Sequence, residues 1–258
     1  MSRLRAGALL AAFVLVTVPL IPVQKLFLWF WPRMARRFPM HYHRMLCRIL
    51  GIRVKVSGTA PTEGPALIVC NHTSWIDIVI LSALAPLSFV AKREVGGWPF
   101  FGTLARLQQT VFVERDRRAS TGGSRDAMQE RLGAGDILVL FPEGTSSDGQ
   151  RVLPFKSSFF GAAALDGVKV HPVTVAYATC RNLPMTRRQM PTYAWYGDMD
   201  LAPHLWEALA FGPLEVTVIC HPALSLGGEL NRKSLARHAE DLVRRGLVEA
   251  LHDPAKIR

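Results

Sequence analysis

Five apolar or small residues, Ala66-Leu67-Ile68-Val69-Cys70, run directly into Asn71-His72-Thr73-Ser74-Trp75-Ile76-Asp77, and a helix-like stretch follows from Trp75 to Leu84. An apolar run of that length reads as a strand buried on both faces. A buried strand passing at once into a helix is the unit from which α/β sheets are built. A His and an Asp therefore sit where the strand ends and the helix begins, the place where open α/β sheets bind ligands. One reading makes His72 a base and Asp77 the carboxylate that orients it. Five residues of helix would turn the two side chains about 140° apart, at ~100° per residue. They can meet only if His72 lies on the turn before the helix. The same residues also suit an Asx-type turn with a surface histidine and an aspartate at a helix start.

The rest of the chain repeats the alternation. Strands are expected at Arg53–Ser57, Leu87–Ala91, Thr110–Val113, Asp136–Phe141, Val168–Ala176 and Glu215–Cys220. Helices are expected at Trp98–Gln108, Asp126–Leu132, Ser157–Asp166 and Ser234–Leu251. The class is thus α/β, with a mixed, largely parallel sheet flanked by helices. The 258 residues allow one large domain or two small ones.

The first fifty residues stand apart. They hold eight Lys or Arg and no acid, against a net charge of +11 for the whole chain. Ala6 to Val23 is uncharged, barely long enough to cross a bilayer, and broken near its end by Pro19 and Pro22. Leu26 to Trp31 adds an apolar piece whose tryptophans suit a membrane interface. Positive charge on both sides argues against a simple span. The pattern predicts a membrane-associated helical hairpin bent at Pro19–Pro22 and dipping into one leaflet, with a single spanning helix as the alternative. Arg33 to Leu50 reads as a basic interfacial helix. Residues 1–50 are therefore expected to be a membrane-binding segment and residues 51–258 a catalytic domain. The charge favours an anionic membrane surface, and no nucleic-acid motif is present, so nucleic acid is not an expected partner. The four cysteines, Cys47, Cys70, Cys180 and Cys220, form no C-x-x-C and read as reduced thiols.

Familiar nucleotide, metal and hydrolase signatures are missing. There is no P-loop, no paired-glycine dinucleotide fingerprint and no H-E-x-x-H. Gly144-Thr145-Ser146-Ser147-Asp148 fails the G-x-S-x-G elbow at its last position. His41 and His43 have no neighbouring Cys or acid to complete a metal site. No metal and no cofactor is expected. What remains is a set of polar clusters at three strand ends: His72 with Asp77, Glu114 with Arg115, and Glu143 with Gly144 and Thr145.

In that order and spacing the clusters resemble the glycerolipid (lysophospholipid) acyltransferase family. Asn71 to Asp77 matches its N-H-x-x-x-x-D block. Gln109-Thr110-Val111-Phe112-Val113-Glu114-Arg115 is similar to its G-x-I-F-I-D-R block, and Phe141-Pro142-Glu143-Gly144-Thr145-Ser146-Ser147 to its F-P-E-G-T-R-S block. Val170-His171-Pro172-Val173 resembles its fourth, V-x-P-V-like strand. The resemblance runs from about Gly51 to Cys220.

The resemblance implies a membrane-bound O-acyltransferase with His72 as general base and Asp77 as its orienter. The donor would be acyl-CoA or acyl carrier protein, and the acceptor the free hydroxyl of a lysolipid. Backbone N–H groups at the helix start after His72 would hold the developing oxyanion. Arg115 would grip an anionic group of the acceptor by a forked contact. Glu143, Gly144 and Thr145 would shape the acceptor pocket, and Lys92 and Lys156 are further candidates for phosphate contacts. The site would lie on the cytoplasmic face of the bacterial inner membrane, anchored by residues 1–50. Three positions depart from the family pattern: Gln109 replaces Gly, Glu114 replaces Asp and Ser146 replaces Arg. The last removes a phosphate-binding cation. The run from Phe141 to Ser158 resembles bacterial members that include lyso-ornithine lipid acyltransferases, whose acceptor carries a carboxylate and no phosphate. Lysophosphatidate, the commoner acceptor in the family, is expected first and lyso-ornithine lipid second.

Overall fold

A computed structural model describes residues 2–114, 121–225 and 231–252. Its centre is an eight-stranded sheet. Strands β1 (Ile52–Ser57), β2 (Ala66–Cys70), β3 (Ser88–Lys92), β4 (Val111–Val113), β5 (Ile137–Leu140), β6 (Lys169–Cys180) and β8 (Leu214–Cys220) lie in the order β1-β8-β6-β2-β5-β3-β4. The two-residue β7 (Leu183–Pro184) pairs with β6. β2 to β6 pair parallel with one another, while β7 and β8 are antiparallel to β6 and β1 is parallel to β8. The sheet is mixed and largely parallel, as its apolar runs predict.

The central strand explains the layering. Ile68 and Cys70 face one core with helices α3 (Ile76–Leu84) and α6 (Leu201–Phe211). Leu67 and Val69 face the other, with α5 (Thr121–Gly133), a 3₁₀ segment at Ser157–Ala164 and α7 (Arg232–His252). A strand covered on both faces must be apolar at every position, which removes the alternation seen in half-exposed strands. α6 escapes sequence reading: its run Leu-Ala-Pro-His-Leu-Trp places Pro203 within the first turn, where a proline is tolerated. The stretch expected as an α-helix at Ser157–Asp166 tightens into 3₁₀ geometry.

The N-terminal hairpin forms, but its bend is not at Pro19–Pro22. α1 (Arg3–Phe30) runs through both prolines, and the chain turns at Trp31 before α2 (Pro32–Leu50). Each proline costs one helical bond, from the carbonyls of Leu15 and Val18 four residues back. Both residues lie on the outward face, where no packing is disturbed. Pro32, by contrast, disfavours helical geometry in the residue before it, and Trp31 leaves the helical region at φ −138° and ψ 73°.

Polar latches fix the hairpin. Pro39 leaves the Ala35 carbonyl without its usual N–H donor. Gln24 of α1 supplies one: its Nε2 donates to Ala35 O and to Leu107 O of α4 (Phe101–Leu107), each at 2.9 Å. Thr17 Oγ1 lies 2.7 Å from the Tyr42 hydroxyl. Arg5 donates to the carbonyls of Leu209 and Leu50. Arg44 caps the end of α3 through Ala83 O at 2.7 Å, a cation at a helix C-terminus.

Candidate active site

The site lies on the edge of the sheet where β2 and β5 end. These neighbours are parallel and in register, Val69 opposite Leu140, so the loops that follow leave the sheet side by side. Asn71 finishes β2 with its side chain. Its Oδ1 accepts from Val175 N and its Nδ2 donates to Val175 O, both at 2.9 Å. The amide thus makes one more rung to β6 after the backbone has turned away, which holds His72 on the turn rather than in the helix.

His72 and Asp77 meet. The imidazole Nδ1 lies 2.8 Å from Asp77 Oδ2. With Nδ1–H held by the carboxylate, Nε2 carries the lone pair. Asp77 is fully buried and heavily bonded. Its Oδ2 also accepts the backbone N–H groups of Thr73 at 2.7 Å and Ser74 at 2.9 Å, and its Oδ1 accepts the Tyr177 hydroxyl at 2.7 Å. The Thr73 and Ser74 donors are therefore spent on the carboxylate, and of the N–H groups after His72 only those farther on, at the helix start itself, keep the expected oxyanion role as a proposal. Trp75 is half-buried, with its indole N–H donated to His204.

The loop after β5 backs the histidine. Phe141 stacks on the imidazole with centroids 4.0 Å apart and planes 17° apart. Ser147 N donates to the His72 carbonyl at 2.8 Å. Gly149 has φ +75°, and a Cβ there would come within 2.8 Å of the Thr73 methyl group. Glu143 is 3% exposed, and neither carboxyl oxygen makes a well-formed hydrogen bond among the described residues, although the backbone at His72 and Leu153 comes near it. Burial pushes its pKa up to about 9, with the charges of Asp77 and Glu240 adding to the rise and the backbone at His72 and Leu153 opposing it. Glu143 is thus a neutral acid at pH 7.

The other predicted residues divide. Gly144 takes φ +76°, and a Cβ there would come 2.6 Å from Lys156 Nζ, so the lysine lies across the third block. Lys156 also donates its backbone N–H to Pro142 O at 3.0 Å. Thr145 is exposed beside them. Lys92 ends β3 on the same sheet edge but two strands from β2, roughly 10 Å across at the usual strand spacing. Arg115 lies outside the described residues. Glu114, just before it, pairs with Arg93. Gln109, standing where the family block has Gly, adopts φ +58°. The backbone conformation that favours Gly is kept, at a cost of about 1–2 kcal/mol for a side-chain-bearing residue. Sequence reading missed Tyr177, whose hydroxyl is one of several polar groups along β6, beside those of Thr174 and Thr179, and so carried no distinct signal.

An apolar cavity of about 260 Å³ adjoins the site between the sheet and the hairpin. Its wall includes Trp75, Ile78 and Phe89, and from the hairpin Phe13, Thr17 and Tyr42. Phe89 lies parallel to Phe141 at 6.3 Å, so stacked rings lead from the cavity to His72.

Residues 51–176 match the family profile described as Acyltransferase. The chain is 44% identical over 97% of its length to a lyso-ornithine lipid O-acyltransferase of Brucella abortus, covering 96% of that protein. It is 43% identical over 92% of its length to the one of Rhizobium meliloti, covering 84% of it.

The chain belongs to the acyltransferase family.

A 1-acyl-sn-glycerol-3-phosphate acyltransferase of Neisseria meningitidis is a more distant relative of this acyltransferase, 33% identical over 72% of the chain and 71% of its own length. The fold matches the crystal structure of PlsC, the 1-acyl-sn-glycerophosphate acyltransferase of Thermotoga maritima, with a TM-score of 0.69 at 24% identity. That match covers 96% of this chain and 93% of the other.

Proposed function

We propose that this acyltransferase moves a fatty acyl group from a thioester, acyl-CoA or acyl carrier protein, to the free hydroxyl of lyso-ornithine lipid. The observation that carries the chemistry is the bond from His72 Nδ1 to a fully buried, four-bonded Asp77. His72 Nε2 takes the proton of the acceptor hydroxyl as its oxygen attacks the thioester carbonyl. The tetrahedral intermediate then expels the thiolate, which recovers the proton from the imidazolium. An ester and a thiol leave, and no covalent acyl-enzyme is needed. Lys156, across Gly144, and Arg115 supply cations for the acceptor's carboxylate. Glu143, Gly144 and Thr145 shape its pocket, with Lys92 at the margin. The acyl chain lies in the apolar cavity.

The acceptor rests on two supports. The relatives at 43–44% identity over nearly the whole chain are lyso-ornithine lipid O-acyltransferases, which reverses the order expected from the family at large. Ser146 also stands where a phosphate-binding block carries arginine. Lysophosphatidate is the second reading, favoured by the Neisseria relative.

Residues 1–50 form the membrane-binding segment of this reading and residues 51–258 its catalytic part. α1 lies along the membrane surface rather than across it. Ser2 N donates to Ala210 O near one end, and Gln24 binds Leu107 O near the other. A helix tied down over about 33 Å cannot leave for the far side of a bilayer. Its outer face, including Leu4, Leu15, Val18, Leu26 and Trp29, is an exposed apolar stripe. Free thiols and thioester donors both suit the cytoplasmic side.

The test is acyl transfer by the purified protein from acyl-CoA or acyl carrier protein, with lyso-ornithine lipid and lysophosphatidate offered separately. Turnover with lyso-ornithine lipid and at least tenfold less with lysophosphatidate is expected. The opposite preference would replace the acceptor, and equal turnover in His72→Ala would remove the mechanism.

A further inference from the structure

Trp75 joins the turn of the base to the apolar cavity. Of residues 71–77 it alone lines that cavity. It stands three residues after His72, immediately before α3. An apolar wall needs no polar handle, and a leucine or phenylalanine would close it as well. The indole brings an N–H that requires an acceptor once it leaves water. Its acceptor is Nδ1 of His204, at 3.2 Å.

His204 lies on α6, 5% exposed, and outside residues 51–176 that match the family profile. Leu201, Leu205 and Leu209 of the same helix line the cavity on successive turns, whereas His204 does not. Its Nε2 faces the carbonyl of Ala194 at 3.1 Å. Only the tautomer that donates from Nε2 and keeps a bare Nδ1 serves both partners. Burial lowers the pKa of this imidazole, against the opposing carbonyls of Ala194 and Pro191 and the charge of Glu207, so the ring is neutral at pH 7.

These contacts close a ring. Trp195 N donates to Thr73 O at 2.9 Å, its neighbour Ala194 holds His204, and His204 holds Trp75. The backbone just after His72 and the indole two residues on are gripped by one segment, residues 194–204. That segment is braced in turn by Trp195 Nε1, which donates to Met199 O at 2.7 Å.

We propose that His204 is a positioning residue for the acyl donor. Through its bond to Trp75 it fixes the indole where the cavity wall meets the His72 turn. The orientation of that ring selects which acyl chains bring their thioester carbonyl within reach of the acceptor hydroxyl. This inference rests on the reading given above that the cavity holds the acyl chain.

The full chain is assayed with decanoyl and palmitoyl thioesters and the acceptor it uses best. Wild type is compared with His204→Leu, His204→Gln, Trp75→Phe and the double variant of Trp75→Phe with His204→Leu. His204→Leu should lower kcat/KM for the palmitoyl donor about fivefold or more, chiefly through the donor KM. The acceptor KM and the pH profile set by His72 should stay in place, and the preference between the two chains should shrink. His204→Gln keeps one acceptor and one donor, and should return to within about twofold of wild type. Trp75→Phe should reproduce the loss, and the double variant should be no worse than the worse single, because both changes break one bond.

An unchanged chain preference in His204→Leu and Trp75→Phe would overturn the proposal and leave His204 a structural residue, read only in the melting temperature. Equal rises in donor and acceptor KM would overturn it too. Trp75→Phe decides alone if His204→Leu fails to fold. A wild type indifferent to chain length would remove the acyl chain from the cavity, and this proposal with it, while acyl transfer itself would stand.

Discussion

The turns after β2 and β5 leave neighbouring strands side by side, and each buries a carboxylate, yet the two acids live in opposite conditions. Asp77 accepts four hydrogen bonds, two from backbone N–H groups, one from a phenol and one from the imidazole. Glu143 makes no well-formed one among the described residues, with only the backbone at His72 and Leu153 near it. A buried carboxylate is stable as an anion only when bonded or paired; otherwise it takes up a proton. One acid therefore lies bonded against His72, and the other is a neutral wedge in the neighbouring loop. The difference shows how a single sheet edge separates roles between residues of the same chemistry.

The largest expected effect breaks the bonded side. His72→Ala should lower kcat by about 10²–10⁴-fold, the usual worth of a general base, with thermal melting unchanged. Asp77→Asn should fall within the same range, because an amide cannot fix the imidazole tautomer as a carboxylate does. Steady-state kinetics beside a melting curve separate chemistry from folding. Activity within tenfold of wild type in His72→Ala would end the assignment.

A smaller effect makes Asp77 more like Glu143. Tyr177→Phe strips Oδ1 of its one donor. A loss of about 1–3 kcal/mol in stability is expected, the cost of a buried group left unsatisfied. A drop in kcat of roughly tenfold should accompany it. The base pKa in the kcat/KM profile should shift, whereas a purely structural role for Tyr177 would leave that profile in place.

The smallest effect, below about pH 4.5, is on the other acid. Glu143→Gln replaces a neutral carboxyl by a neutral amide, so stability should change little below about pH 4.5, where the unfolded chain also keeps its proton. The folded pKa is raised to about 9, above its ordinary value of 4.5, so the native state keeps a proton that the unfolded chain gives up. That contribution is complete below about pH 4.5 and is lost as pH rises towards 9. Stability of wild type relative to Glu143→Gln should therefore decline over that window, by up to about 1.4 kcal/mol per pH unit. Parallel pH–stability curves for the two proteins would show that Glu143 is ionised after all.

Much of this arrangement is legible in the residues. The apolar runs give the strands of the sheet, and the N-H-x-x-x-x-D and F-P-E-G-T blocks mark the two loops that meet. What escapes reading depends on distant partners. Tyr177 is a hundred residues from Asp77, and nothing in its own neighbourhood announces a bond. Pro19 and Pro22 look like a bend until an outward face is found to absorb the two lost hydrogen bonds. The Thr73 and Ser74 donors look available until the buried carboxylate is placed. Ser146 was a visible departure, but residue chemistry alone did not rank the acceptors. Arg115 lies outside the described residues and stays a proposal.

The tie between Arg5 and the Leu209 carbonyl spans 204 residues. At ribosomal speeds of roughly 5–20 residues per second, α1 is made some 10–40 s before the helix it packs against. An apolar helix cannot wait that long in water without risk of aggregation. On the proposed membrane reading, the outward stripe would give the nascent helix somewhere to rest, so that a bilayer would serve first as a chaperone surface and only afterwards as a workplace.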